Sequence, residues 1–138
     1  MASSVPFKLI TPTSVVYDGQ AELVIAVTTE GEEGILPKHA PFLAALRPGV
    51  LRANVGGDGK TERLELATGE GFLQALPDRV TVLVDEALRF EDVDVARARE
   101  ELAAATERQK AQSMDSPGFA REQAAIDFAN AKLRLTGH

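Results

Sequence analysis

The sequence predicts an α+β fold: an N-terminal antiparallel β-sandwich over residues 1–90, followed by a C-terminal antiparallel two-helix hairpin over residues 91–138. Three observations predict it. Up to about Leu88, apolar runs of strand length recur between Gly, Pro and Asp turn signals, the pattern of an antiparallel sandwich rather than of helix. After Phe90 an alanine-rich stretch runs without Gly or Pro, which favours helix. The break Ser113-Met114-Asp115-Ser116-Pro117-Gly118 then divides the helical region in two.

Taken in order, Phe7 and Leu9 flank Lys8, the period of a strand with one buried face. From Ala21 to Thr29, Leu23, Ile25 and Val27 occupy one face and Val24 and Ala26 the other; apolar side chains on both faces mark a central strand. Val50 to Val55 forms a further strand, and Gly56-Gly57-Asp58-Gly59-Lys60 follows it, with glycines able to take the positive φ of a hairpin connection. Leu64 and Leu66 alternate with Arg63 and Glu65 on the return strand, and Val80-Thr81-Val82-Leu83-Val84 follows the turn signal Pro77-Asp78. Glu91-Asp92-Val93-Asp94 supplies acidic residues where a helix dipole is positive. In the first helix Val95, Ala98, Leu102 and Ala105 share one side. Ser116 is the cap and Pro117 the start of the second helix, which runs to about Leu135 with Phe119, Ile126 and Leu133 seven residues apart. Two helices across so short a break form an antiparallel hairpin.

Composition narrows the function classes. A chain of 138 residues holds one domain, or a small domain with an appendage, and 44% hydrophobic with 26% charged residues is globular rather than disordered. There is no cysteine, which removes disulfides and thiolate chemistry. The formal net charge of -6 argues against a nucleic-acid surface, which needs clustered cations to displace counterions. No stretch reaches the roughly 20 apolar residues of a membrane span, and Met1-Ala2-Ser3-Ser4-Val5-Pro6 lacks the apolar region of a signal peptide. Any membrane role is therefore expected to be peripheral. Walker, G-x-S-x-G and H-E-x-x-H motifs are missing, and two histidines leave little material for acid–base chemistry. No catalytic residue and no metal site is assigned.

The segment Gly34-Ile35-Leu36-Pro37-Lys38-His39-Ala40-Pro41 resembles the G-I-x-P-G-H-A-P loop of the F-type ATP synthase epsilon subunit family. Further matches follow in order: Leu46-Arg47-Pro48-Gly49, Gly69-Glu70-Gly71-Phe72-Leu73, Val80-Thr81-Val82-Leu83 and Asp92-Val93-Asp94-Val95-Ala96-Arg97-Ala98. The similarity thus spans nearly the whole chain. Lys38 departs from it, standing where the family usually has Gly; a left-handed backbone there would strain a lysine.

The resemblance implies a non-catalytic rotor subunit with three partners: the gamma shaft, the membrane c-ring and, when the helices extend, the alpha/beta catalytic hexamer. It implies that Glu32 and His39 meet the c-ring, on a loop stiffened by Pro37 and Pro41. The family's tail is a switch that blocks ATP hydrolysis when extended. The alanine-rich faces of this hairpin fit such a switch, because little apolar area holds them to the sandwich. Arg108, Lys110, Arg121, Lys132 and Arg134 make the distal tail basic and are the expected contacts to acidic loops of the hexamer. The expected location is peripheral, on the cytoplasmic face of a bacterial plasma membrane.

Some members bind ATP in the hairpin through an [I/L]-D-x-x-R-A motif, which Val93-Asp94-Val95-Ala96-Arg97-Ala98 resembles. The alternative reading is therefore a nucleotide-sensing module using Asp94, Arg97 and Lys132. Leu88 replaces the family's upstream acid, however, and Phe128 replaces one of two arginines on the second helix. A triphosphate needs convergent cations, so weak or absent ATP binding and no obligatory cofactor are expected.

Overall fold

Residues 3–57 and 60–138 are described by a computed structural model. Among them nine strands precede two helices: β1 (Val5–Thr11), β2 (Ser14–Thr28), β3 (Gly31–Ile35), β4 (Phe42–Leu46), β5 (Gly49–Gly57), β6 (Lys60–Thr68), β7 (Gly71–Leu76), β8 (Arg79–Val84), β9 (Ala87–Leu88), α1 (Val95–Lys110) and α2 (Pro117–Leu135). The predicted order of sandwich then hairpin is what the structure holds.

The period-two pattern decides which side of each strand is buried. Phe7 and Leu9, Val24 and Ala26, Leu51 and Ala53, Leu64 and Leu66, Leu73 and Ala75, and Val80 and Val82 form one core. Strand order is β1-β8-β7-β4-β2-β5-β6-β9, and β1 also pairs with β2, folding the sheet back over its own core. The 15-residue β2 makes this closure possible, giving its first half to β1 and its second half to β3 and β5. As expected of a central strand, its second half is hydrogen-bonded on both edges, with Val24 and Ala26 buried on the core face and Leu23, Ile25 and Val27 half-buried on the other.

One pairing departs from the antiparallel expectation. Strands β1 and β8 run parallel, with Phe7 beside Val80 and Ile10 beside Leu83. Both edges of β1 are thereby hydrogen-bonded, which removes an open edge from the sheet. The predicted hairpin between β5 and β6 is present, with Gly57 paired to Lys60. Gly56 takes φ +106° there, and a Cβ on it would lie 2.4 Å from the Lys60 carbonyl oxygen, so glycine is required. The part of that expectation resting on Asp58 and Gly59 lies outside the described residues.

Both helices begin on side-chain caps. The Asp94 carboxylate accepts from the Arg97 backbone N–H at 3.1 Å, and the Ser116 hydroxyl accepts from that of Phe119 at 3.1 Å. Glu91 and Asp92, expected near the first helix start, instead lie in a separate 3-10 turn ahead of it. Helix α1 buries Ala98 and Ala105, so the hairpin partners approach through small side chains. Helix α2 rests on the outer face of β5 and β6, where Val50, Ala67 and Ala131 are buried and Phe128 and Leu135 pack beside them. That attachment is small next to the sandwich core.

Candidate partner-binding surfaces

The loop that carries Glu32 and His39 is built around β3. Thr28 shapes the turn into it, accepting from the Glu30 N–H at 3.1 Å and donating to the Gly31 carbonyl oxygen at 2.6 Å. Glu32 lies on β3 opposite Val27, exposed, and its Oε2 accepts from Arg52 Nη2 at 2.8 Å. His39 Nδ1 donates to the Ala40 carbonyl oxygen at 2.7 Å. The imidazole also meets the Phe42 ring edge-on at 5.8 Å. No hydrogen bond or ion pair joins Glu32 to His39 among the described residues; the two stand on separate arms of the loop. Between them Lys38 takes φ +63°, the one non-glycine residue with positive φ among those described. The position does adopt the left-handed backbone, in which a lysine is strained and a glycine is not.

A second surface was not picked out from the sequence. The outer side of β4, β7, β8 and β1 places Ala45, Phe72, Leu83 and Ile10 side by side, with Leu43, Gln74, Thr81 and Lys8 in the adjoining row. Leu43 is 71% and Phe72 58% exposed, and Leu83 is exposed as well. Large apolar side chains grouped on an open sheet face mark a binding surface rather than scattered exposure. The signal was present at outward positions 43, 72 and 83, but Leu83 sits inside the run Val82-Leu83-Val84, which reads equally as a strand buried on both faces.

The predicted tail cations divide into two groups. Arg108 pairs with Glu122, Lys132 with Glu101 at 2.7 Å, and Lys110 with Glu107 at 3.1 Å. The first two pairs cross between α1 and α2, and Lys132, with only 11% of its side chain exposed, also lies 4.6 Å from the centre of the Phe128 ring. The hydrogen bond to Glu122 raises the Arg108 pKa; desolvation opposes this and the carboxylate's charge adds to it. Arg121 and Arg134 are exposed and lie in no ion pair among the described residues.

The residues proposed for ATP are occupied otherwise. Asp94 caps α1, and Arg97 Nε lies 3.9 Å from Glu101, the acid that also holds Lys132. A cavity of about 490 Å³ between hairpin and sandwich is lined by Arg97, Arg108 and Lys132 but also by Glu70, Asp85, Glu86, Glu100 and Glu101. Carboxylates outnumber cations there, which opposes a polyphosphate. Among the described residues no group of three or more His, Cys, Asp or Glu could hold a metal ion, and no helix is long and apolar enough to cross a membrane.

Comparison with known proteins agrees with this architecture. Residues 4–90 match the family model described as ATP synthase, Delta/Epsilon chain, beta-sandwich domain. The ATP synthase epsilon chain of Chromobacterium violaceum is 37% identical over 132 residues, covering 96% of this chain and 92% of that one. The epsilon chain of Halorhodospira halophila is 40% identical over 132 residues, with the same coverages of 96% and 92%. In fold, the chain is similar to one in the cryo-EM structure of the Euglena gracilis mitochondrial ATP synthase OSCP/F1/c-ring, with TM-score 0.77 at 20% identity over 98% of this chain and 82% of that one. A chain of the Tetrahymena thermophila mitochondrial ATP synthase central stalk and c-ring gives TM-score 0.62 at 19% identity, covering 97% of both. With a sandwich model matched over most of its length and relatives aligned nearly end to end, this chain belongs to the delta/epsilon chain family of ATP synthases.

Proposed function

We propose that the chain is a non-catalytic central-stalk subunit of an F-type ATP synthase, with residues 1–90 binding the gamma shaft and resting on the c-ring, and residues 91–138 forming a mobile regulatory arm. The observation that carries the reading is the apolar face of Leu43, Phe72 and Leu83 on β4, β7 and β8. A stable interface needs such a desolvated centre within a polar rim, and the face lies apart from the sheet surface under α2. We assign gamma to it. Glu32 and His39 then serve the c-ring from the β3 loop. The complex holds the chain on the cytoplasmic face of a bacterial plasma membrane.

Substituting Phe72→Asp tests the assignment. The side chain is mostly exposed, so the isolated variant should keep its β-rich spectrum while losing gamma in co-purification. Retained gamma binding would remove the face from the account.

The regulatory arm restrains ATP hydrolysis by leaving the sandwich and reaching the hexamer, with Arg121 and Arg134 available first and Arg108, Lys110 and Lys132 after their present partners release them. Assembled complexes lacking residues 91–138 should hydrolyse ATP faster than intact ones. Equal rates would refute the inhibitory role.

A further inference from the structure

The pairing of Glu32 with Arg52 links residues on β3 and β5 that are separated by the whole width of β2. Glu32 stands opposite Val27 and Arg52 opposite Ile25, so the arginine side chain reaches over the outer face of β2 to close a 2.8 Å contact. Strand β3 pairs with β2 and lies off the main path of the sheet. The ion pair therefore ties this peripheral strand to a strand inside the sheet, at the residue assigned to the c-ring. Glu32 remains 54% exposed in its side chain. Among the described residues only its Oε2 has a partner, and Oε1 keeps its lone pairs for a donor outside the chain.

We propose that Arg52 is a positioning residue for c-ring contact, fixing the Glu32 carboxylate in one orientation so that Oε1 is presented to a hydrogen-bond donor on the ring. A lone glutamate on a peripheral strand samples several rotamers, and binding has to immobilise it. The single charge-assisted hydrogen bond from the planar guanidinium holds Oε2 and leaves Oε1 turned outward, a directionality that a lysine ammonium reproduces less well. Exposed pairs of this kind contribute little to folding, so the main effect of Arg52 falls on binding. This inference rests on the assignment of Glu32 to the c-ring.

The test uses the full chain bound to gamma and titrated onto purified c-ring, with three variants: Arg52→Gln, Arg52→Lys and Glu32→Gln, plus the Arg52→Gln/Glu32→Gln double variant. Arg52→Gln should weaken c-ring binding about three- to tenfold, the range set by immobilising one flexible side chain, with gamma affinity and melting temperature nearly unchanged. Arg52→Lys should restore part of the loss. The double variant should bind no worse than Glu32→Gln alone, because Arg52 acts only through that carboxylate. Unchanged binding in Arg52→Gln beside weakened binding in Glu32→Gln would overturn the positioning role and leave the assignment of Glu32 standing. Fully additive losses would overturn it too, since Arg52 would then act by another route. If Glu32→Gln binds normally, both the assignment and the role of Arg52 fall.

Discussion

Replacing Lys38 with glycine should stabilise the protein, because this residue holds φ +63° in the loop between β3 and β4. A left-handed backbone costs an ordinary L-residue about 1–2 kcal/mol relative to the right-handed region. Glycine escapes that cost but loses about 0.5–1 kcal/mol more than other residues through the entropy of its unfolded chain. The difference leaves Lys38→Gly more stable by about 0.5–1 kcal/mol, or a melting temperature higher by about 2–4 °C for a chain of this size. Lys38 is exposed and lies in no ion pair among the described residues, so no lost contact offsets the gain. Lys38→Ala serves as the control, since it removes the charge while keeping a Cβ in the strained conformation. Thermal and urea unfolding of the isolated chain, followed by circular dichroism, measure both variants. If Lys38→Gly is no more stable than the parent, or if Lys38→Ala gains as much, the strain argument fails.

Two further outcomes follow from the hairpin. Val50 is buried under α2 beside Ala67 and Ala131, so Val50→Asp should weaken docking by about 2–4 kcal/mol through lost burial and a desolvated charge; α2 amides should then exchange roughly a hundredfold faster with the sandwich amides little changed, and uniform acceleration would contradict a separable arm. ATP at millimolar concentration should give no binding heat with the isolated chain, because the cavity beside Arg97 and Lys132 is lined by more carboxylates than cations; a saturable heat would favour the alternative, nucleotide-sensing reading.

Much of this architecture was legible because it depends on local signals. Strand alternation at Phe7 and Leu9, the cap at Ser116 with Pro117, and the glycine at position 56 each act within a few residues. Distant pairings carry no such signature. Nothing near β1 announces its parallel partner β8, and nothing near Glu32 announces Arg52. The tail shows the same limit: its basic character is plain in sequence, yet Lys132 is held by Glu101, 31 positions away, and only the fold reveals which cations are free. The apolar face on β7 and β8 was hidden for a different reason. Its outward side chains resemble those of a strand covered on both sides, and only the absence of a covering layer in the structure distinguishes the two.

The most direct measurement is a calorimetric titration of the purified chain with purified gamma subunit. The account requires a saturable one-to-one complex whose formation carries a negative heat-capacity change, as burial of the Leu43–Phe72–Leu83 face demands. A correctly folded chain that gives no association with gamma at micromolar concentrations would contradict it.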